Sequence, residues 1–414
     1  MGTTGQALRR ITRRKLAIGT IALAVSGLSA AFVASPGAAA AFQLHQGFHP
    51  PTTTKPVVTT TTTTVAPTTT TTKPVVTTTT TTPTTTAPTA TDPSVAQGIY
   101  AGAAEPAWVA SVGSDTGTSP TLAEDFLPSA GGWAGMTQAS QISWLLDTWD
   151  NSGYRLLLGV PMIPTTSTGA GVGTLATGAT GAYNTYFQTL AENLVASNEG
   201  NAILRLGWEF NGGWYAWSVS NNTQAASFAT YWQQIVTTMN AVPGANFQYV
   251  WNVSDGAGYG LDLADAYPGN AYVNYIGVDA YDQDCSSNPT PQNSWSNLLT
   301  GTAGLNWATS FAAANGKPVA IPEWGLEGTL NNGCTGMGDD PYYINQMSSW
   351  LVANHAAFES YFDVDASDGS HKLEDSTFTT SLAAFKEDFW NPTGPPPLSV
   401  RPIPTIHAAS ERGT

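Results

Sequence analysis

The chain has 414 residues, of which 42% are hydrophobic and 10% are charged, and it contains 14 tryptophans, 15 tyrosines and 14 phenylalanines. This is enough apolar material for one large core or two small ones. The formal net charge of −15 makes nucleic acids and anionic membrane surfaces unfavourable partners, so neither is expected to bind.

Residues 1–41 have the three parts of an export signal. A basic start is followed by an apolar run at 16–34 and then by "SPGAAAA", which offers cleavage after Ala40 or Ala41. An uncleaved membrane anchor is the alternative, because the apolar run approaches the length that spans a bilayer. We expect a signal peptide, and hence a secreted, extracellular protein or one associated with the cell surface.

Residues 42–94 form a linker rich in threonine and proline, in which "TTTKPVVTTTTTT" occurs at 52–64 and again at 70–82. Such a segment cannot bury a core, and proline stiffens it, so we expect a disordered, extended spacer. The tail at 391–414 contains "TGPPPLSVRPIPT" and is predicted to be disordered as well.

Residues 95–390 remain for one domain, and a size of about 300 residues suits an α/β barrel. Segments with helical spacing, such as Phe228, Trp232, Ile235 and Met239, lie between short apolar runs typical of strands buried on both faces. Eight strands with intervening helices predict an α/β fold, a (β/α)8 TIM barrel. The predicted strands are 97–102, 121–128, 154–163, 202–209, 246–253, 275–282, 317–325 and 358–365.

Two glutamates end predicted strands, which is where (β/α)8 barrels carry their chemistry. Glu209 ends the fourth strand, within "RLGWEFNGGWYAW" (205–217), and Glu323 ends the seventh, within "KPVAIPEWG" (317–325). A carboxylate beside so much aromatic surface is costly unless it is paired, hydrogen-bonded or protonated. Glu327 lies four residues beyond Glu323 and is expected on the loop surface.

Two opposed carboxylates with aromatic walls are the arrangement that cleavage of a glycosidic bond requires. One, kept protonated by apolar surroundings, donates a proton to the leaving oxygen, while the other attacks the anomeric carbon or activates water. Sugar C–H faces stack on Trp or Tyr, and sugar hydroxyls need polar partners. A single glutamate at a strand end is more often a surface or ion-paired residue, so the interpretation depends on the second one.

The segment "LRLGWEFNGGWYAW" (204–217) resembles the acid/base segment of glycoside hydrolase family 26, the β-mannanase family of the retaining clan A barrels. "GVDAYD" (277–282) resembles that family's sixth strand end, and "KPVAIPEWG" resembles its seventh, which carries the nucleophile. The resemblance implies that Glu209 is the general acid/base and Glu323 the nucleophile, about 5 to 5.5 Å apart as retention requires. It also implies that Tyr281 hydrogen-bonds Glu323, with simple packing at the barrel mouth as the alternative.

Other residues near these motifs are expected to support the pair. Arg205 shares a strand face with Glu209, where its charge would keep Glu323 ionised, although a structural ion pair fits this position equally well. Asp279 points with Tyr281 by strand alternation, so it either serves a substrate hydroxyl or holds Arg205. Trp217 is assigned to the core. The candidate substrate-binding residues are Trp208, Asn211, Trp214, Trp251, Asn252 and Trp324.

Trp208 departs from the family pattern, which has histidine immediately before the acid/base glutamate. An indole offers one N–H donor and no acceptor. In clan A barrels the residue at this place helps to bind the sugar near its 2-hydroxyl, which distinguishes mannose from glucose. A β-glucan or xylan therefore competes with β-mannan as the expected substrate.

Cys285 and Cys334 are the two cysteines of the chain. They fall in the loops after the sixth and seventh predicted strands, which are neighbours in a barrel, so we expect a disulfide between these loops. The five histidines show no metal-ligand spacing, and the acids of "DAYDQDC" lack that of an EF-hand, so we expect no metal and no cofactor.

The sequence thus predicts a secreted, monomeric, retaining endo-β-glycosidase whose partner is a polysaccharide, either β-mannan or a β-glucan or xylan. The alternative is a non-catalytic carbohydrate-binding protein on a hydrolase-like barrel, which Trp208 suggests. A cell-surface structural protein is a third interpretation, based on the threonine-rich linker.

Overall fold

The computed structural model describes residues 95–258, 260–328, 334–366, 369–374 and 377–389. The predicted signal peptide, linker and tail lie outside these residues. No helix within the described ranges is long and apolar enough to cross a membrane.

Parallel strands close into a barrel at the centre of the domain. The strands of the described residues are β1 (Ala96–Tyr100), β2 (Leu122–Phe126), β3 (Arg155–Val160), β4 (Ile203–Leu206), β5 (Gln248–Ser254), β6 (Tyr275–Tyr281), β7 (Gln283–Asp284), β8 (Val319–Gly325), β9 (Thr335–Gly336) and β10 (Phe358–Phe362). The order around the closed barrel is β1-β10-β8-β6-β5-β4-β3-β2, and β7 pairs only with β9. This topology confirms the predicted (β/α)8 barrel.

Helices cover the outside of the barrel. They are α1 (Pro106–Thr116), α2 (Gly132–Thr137), α3 (Ala139–Trp149), α4 (Leu175–Ala179), α5 (Asn184–Ala196), α6 (Asn222–Asn240), α7 (Pro291–Thr300), α8 (Leu305–Asn315), α9 (Pro341–Ala353) and α10 (Thr379–Phe389). In α6 the Asn221 side chain accepts a hydrogen bond from the backbone N–H of Gln224 and caps the first turn. Phe228, Trp232 and Met239 are fully buried, so the predicted helical spacing marks the face that packs on the barrel.

Each predicted strand overlaps one observed barrel strand, and the fourth predicted strand ends later than the observed one. It was predicted to reach Glu209, but β4 ends at Leu206. Gly207 and Glu209 both have a φ of 51°, a left-handed conformation that cannot continue a strand.

The amino-terminal end of the barrel interior is apolar. It is formed by a cluster with one residue from each barrel strand: Ala96, Leu122, Leu157, Ile203, Val250, Tyr275, Ala320 and Phe358. Side chains alternate along a strand, so the residues two positions further along also face inward. At that level lie Glu124, Arg205, Asn252 and Ser360, and the polar centre of the barrel therefore rests on an apolar floor.

A disulfide joins Cys285 to Cys334, as predicted. Cys285 follows β7 and Cys334 precedes β9, and these two short strands pair antiparallel. The crosslink therefore connects the loop after β6 with the loop after β8, the strand that carries Glu323.

Candidate active site

Glu209 lies in the turn that follows β4 and is fully buried. Its φ of 51° is a conformation that costs a residue with a side chain about 1 to 2 kcal/mol. The backbone N–H of Glu209 donates to the carbonyl of Asn252 at 3.1 Å, and the Trp214 indole N–H donates to its Oε2 at 3.0 Å. Backbone strain held in place at a buried carboxyl group points to a functional position.

Glu323 lies near the carboxyl end of β8 and is fully buried. The barrel register pairs it with Asp279 of β6. The Tyr281 hydroxyl donates to its Oε1 at 2.7 Å, which is the hydrogen bond that the family resemblance implied, and Arg205 Nη1 donates to its Oε2 at 2.9 Å. A cation and a hydroxyl donor are the partners that a negatively charged carboxylate needs when it is buried.

Arg205 is a fully buried cation among carboxylates. Besides Glu323, it contacts Oε1 of Glu124 through Nη1 and donates to Oδ2 of Asp279 at 2.5 Å through Nη2. Its Nε donates to Oδ1 of Asn252 at 2.8 Å. Burial alone would lower the pKa of Arg205, but attraction to Asp279, Glu124 and Glu323 raises it above its ordinary value. The guanidinium is therefore a fixed positive charge at the centre of the site.

Asp279 holds Arg205, which is one of the two roles expected of it, whereas the sequence reasoning missed Glu124. Burial raises the pKa of both acids, and the charge of Arg205 opposes this shift. Glu124 also accepts a hydrogen bond from the Ser360 hydroxyl at 2.9 Å. Leu122 and Glu124 lie two residues apart in the second predicted strand, and this alternation was the available signal that Glu124 faces inward.

The two candidate glutamates have contrasting electrostatic surroundings. Burial and then repulsion by Glu323 raise the pKa of Glu209 to about 8, although the Trp214 hydrogen bond lowers it. Arg205 donates to Glu323 and not to Glu209. At neutral pH the carboxyl group of Glu209 is therefore protonated, whereas Glu323 accepts hydrogen bonds from a cation and from a hydroxyl group.

Asn211 and Asn252 were predicted to bind substrate, but the protein itself engages their amide groups. Asn211 Nδ2 donates to the carbonyls of Ser254 and Ala257 at 2.7 and 3.0 Å, and its Oδ1 accepts from the Ser254 N–H at 2.9 Å. Asn252 accepts the Nε–H of Arg205. Because both amide hydrogens of Asn211 are used, it positions the loop after β5, and Asn252 positions Arg205.

Trp251 and Trp324 were also predicted to bind substrate, and the structure places both behind the barrel wall. Trp324 is fully buried, stacks on Phe385 of α10, and donates through Nε1 to Glu359 at 2.6 Å. Trp251 is equally buried and stacks on Phe311 of α8. Trp251 precedes the inward-facing Asn252, and Trp324 follows the inward-facing Glu323. Both indoles therefore point outward into the helix layer.

The loop after β4 brings other aromatic side chains to the site. Trp214 is half-buried and contacts Glu209, the position expected of a residue that lines a cleft. Trp208 is buried, and its Nε1–H donates to the hydroxyl of Tyr215 at 2.8 Å. Trp217 is a core residue, as expected, and donates to the Trp208 carbonyl at 2.9 Å. Tyr215 was not singled out from the sequence.

Neither Glu209 nor Glu323 has exposed surface, since both side chains are 0% accessible. The Trp214 ring lies against Gly212, where an added Cβ would be 2.3 Å from the indole. Only glycine leaves room for this ring at position 212. The Trp214 indole, which is hydrogen-bonded to Glu209, contributes to the burial of that carboxyl group.

Glu327 was expected on the loop surface, and this prediction is wrong because the residue is fully buried. Its Oε2 lies 3.8 Å from Nδ1 of His371, and the N–H of the next residue, Gly328, donates to the Ser370 carbonyl at 3.1 Å. The loop after β8 thus folds back against another loop. Across the described part of the chain, no group of three or more His, Cys, Asp or Glu is arranged to hold a metal ion.

The sequence model of "Glycosyl hydrolase family 26" matches residues 124–323, a span that begins and ends with two of the carboxylates around Arg205. Endoglucanase H of Acetivibrio thermocellus is 28% identical over 148 residues, which are 35% of this chain and 16% of that protein. Mannan endo-1,4-beta-mannosidase of Bifidobacterium adolescentis is 28% identical over 151 residues, 35% of this chain and 14% of that protein. The chain thus matches about one sixth or less of the length of these curated relatives.

A solved structure of an endo-beta-1,4-mannanase from Cellulomonas fimi has the same fold, with a TM-score of 0.52 at 19% identity over 70% of each chain. The fold is a closed (β/α)8 barrel, with buried glutamates after its fourth strand and in its seventh. Over residues 124–323 the chain is similar to glycosyl hydrolase family 26, which confirms the resemblance seen in its sequence.

Proposed function

We propose that this protein is a secreted, endo-acting glycoside hydrolase that cleaves a β-linked polysaccharide with retention of the anomeric configuration. The observation that supports it most directly is the contrast between Glu209 and Glu323. Burial raises the pKa of Glu209 to about 8, whereas Glu323 has Arg205 and Tyr281 as hydrogen-bond donors. One acid is thus prepared to give a proton and the other to attack a carbon.

In the first step a carboxylate oxygen of Glu323 forms a bond to the anomeric carbon, and the bond from that carbon to the glycosidic oxygen breaks. Glu209 gives its proton to the departing oxygen, so the leaving chain carries a hydroxyl group. In the second step Glu209, now ionised, takes a proton from water, and the hydroxide formed displaces Glu323. The configuration is inverted twice and therefore retained.

Arg205 and Tyr281 are positioning residues for Glu323 in this scheme. Tyr281 fixes one carboxylate oxygen and Arg205 the other, so the nucleophile is oriented before the sugar arrives. Glu124 and Asp279 hold Arg205 from other strands, which keeps its charge in place while the charge on Glu323 changes.

The substrate that we propose first is β-mannan, because the sequence motifs resemble those of β-mannanases. The matched relatives bear the names of an endoglucanase and a mannosidase, so β-glucan is retained as a competitor. Xylan is retained as well, because Trp208 stands where the family pattern has histidine.

The secretion proposal rests on the sequence of residues 1–41. Expression of the full chain in a secreting host should yield a protein in the medium whose first residue is Ala41 or Phe42. Intact-mass measurement of the secreted protein tests this cleavage.

The function is tested by incubating the full chain with β-mannan, mixed-linkage β-glucan, β-1,3-glucan and xylan. We expect a ladder of oligosaccharides by mass spectrometry from at least one of these, and newly formed β-anomers by proton NMR before mutarotation. Binding to a polysaccharide without release of any product would reject the hydrolase and select the carbohydrate-binding alternative. Initial formation of α-anomers would reject retention.

The rate of hydrolysis should fall at alkaline pH because Glu209 must be protonated to act as the acid. Its pKa of about 8 in the free folded protein predicts a kcat/KM that is level just below that pH. Above it, kcat/KM should fall about tenfold per pH unit. Initial rates across this range, with circular dichroism at each pH to show that the fold persists, measure the effect. Rates that stay level to about two pH units above this pKa would show that Glu209 is not the acid.

A further inference from the structure

Tyr215 is held rigidly beside the candidate active site. Its ring stacks on Trp217, with centroids 4.3 Å apart and an angle of 10° between planes. Its backbone N–H donates to the Ser218 hydroxyl at 3.1 Å, and its carbonyl accepts the Ser218 N–H at 3.1 Å. The side chain is half-buried, so its position is fixed while part of it reaches the surface.

The direction of the Tyr215 hydroxyl proton follows from its partner. The Trp208 indole N–H lies 2.8 Å from the Tyr215 oxygen, and an indole nitrogen can only donate. Tyr215 therefore accepts this hydrogen bond, and its own proton must point elsewhere. No group among the described residues accepts that proton, so the hydroxyl is an oriented donor without a protein acceptor.

The hydroxyl of Tyr215 lies close enough to both carboxyl groups for their charges to act on it. Trp208 immediately precedes Glu209, and Trp214, the neighbour of Tyr215, donates to Glu209. Burial raises the pKa of Tyr215, and the charges of Glu209 and Glu323 raise it further. The phenol is thus neutral and a donor at every pH at which the site works.

We propose that the Tyr215 hydroxyl donates a hydrogen bond to the 2-hydroxyl of the sugar whose anomeric carbon lies between Glu209 and Glu323. This inference rests on the proposed function. The 2-hydroxyl is bonded to the carbon next to the anomeric carbon, so a sugar in reacting position carries it close to the carboxyl pair. Hydrogen bonds to this hydroxyl strengthen in the transition state of glycosidases. Trp208 is the positioning residue that directs the donor.

The test compares Tyr215→Phe with the unaltered protein on two dinitrophenyl β-glycosides, one with the 2-hydroxyl and one 2-deoxy. The sugar is that of the polysaccharide which the unaltered protein hydrolyses. We expect kcat/KM to fall by about 10- to 100-fold on the first glycoside and to change less than about twofold on the second. A purely structural role would lower both rates equally.

Two further variants control for packing. Tyr215→Phe leaves the Trp208 N–H without its acceptor, so the double variant Trp208→Phe/Tyr215→Phe removes both groups and should show the same substrate-dependent loss. Tyr267→Phe removes the hydroxyl of a half-buried tyrosine, which donates to Asn270 at 2.9 Å in the loop after β5, and should leave both rates unchanged.

Equal losses on both glycosides, or no loss on either, would overturn the role of Tyr215. Neither result would affect the proposed function, because the unaltered protein would still hydrolyse the glycosides. The proposed function fails separately, when the unaltered protein releases no product from any polysaccharide.

Discussion

Glu323→Gln is expected to lower kcat on the polysaccharide by on the order of 10⁴-fold or more, because the amide cannot form the glycosyl ester. Glu209→Gln should lower it by roughly 10²- to 10⁴-fold, the range for a general acid/base. The two variants should also differ on a dinitrophenyl glycoside, whose leaving group needs no proton. Glu209→Gln should then release a burst of dinitrophenol, and Glu323→Gln should release none. Stopped-flow absorbance measures the burst.

Glu359→Gln is the matched control for these variants. Glu359 is also a buried glutamate, and burial raises its pKa to about 8, but it accepts a hydrogen bond from Trp324 behind the barrel wall. Its amide variant should keep nearly full activity. Hydrolysis by Glu323→Gln at the rate of the unaltered protein would refute the assignment of the nucleophile.

Arg205→Met should destabilise the folded protein by about 3 to 5 kcal/mol at neutral pH, since it leaves buried carboxyl groups without their cation. The loss should be smaller at acid pH. Burial raises the pKa of Glu124 and Asp279, and without Arg205 these pKa values rise further, so the acids are neutral in the folded variant when the solution is acidic. Urea unfolding followed by fluorescence at about pH 4 and about pH 7 measures both effects.

Arg155→Met provides the comparison for the arginine variant. Arg155 lies at the start of β3 and donates to the Asn201 carbonyl at 2.8 Å and to Gln248 at 2.6 Å, with no carboxylate among these partners. Its replacement should cost less and should not depend on pH through carboxyl protonation. If Arg205→Met lowered the free energy of unfolding equally at both pH values, protonation of Glu124 and Asp279 would not explain the effect.

Much of the fold follows from local patterns in the sequence. Short apolar runs separated by helical spacing define the barrel, and Glu209 and Glu323 were found because each ends such a run beside glycine and tryptophan. The contact between Tyr281 and Glu323 was implied by the family resemblance, and strand alternation placed Asp279 on the same face as Tyr281. Each of these features can be recognised from a short stretch of sequence. The barrel topology then brings the strand ends that carry them to the same end of the domain.

The same alternation could have corrected two errors. Since Glu323 faces the barrel interior, Trp324 must face the helices. By the same rule Asn252 faces the interior and Trp251 faces the helices. Asn211 is different, because its partners lie in the loop after β5 and no pattern in the sequence indicates which backbone groups meet its amide. The role of Glu124 was hidden because its strand is short and poorly marked.

The buried acids behind the barrel wall affect how the stability of the folded protein depends on pH. Asp125 and Glu359 have no basic partner among the residues that the structure describes, and burial raises their pKa values to about 6 and about 8. An unfolded chain would release those protons at a lower pH, so folding in neutral solution takes up hydrogen ions. The stabilisation that these acids provide is complete in acid, below their unfolded pKa, and is lost as the pH rises through 6 and then 8. Acidification would therefore stabilise the folded protein through these two buried acids, whereas it destabilises most proteins.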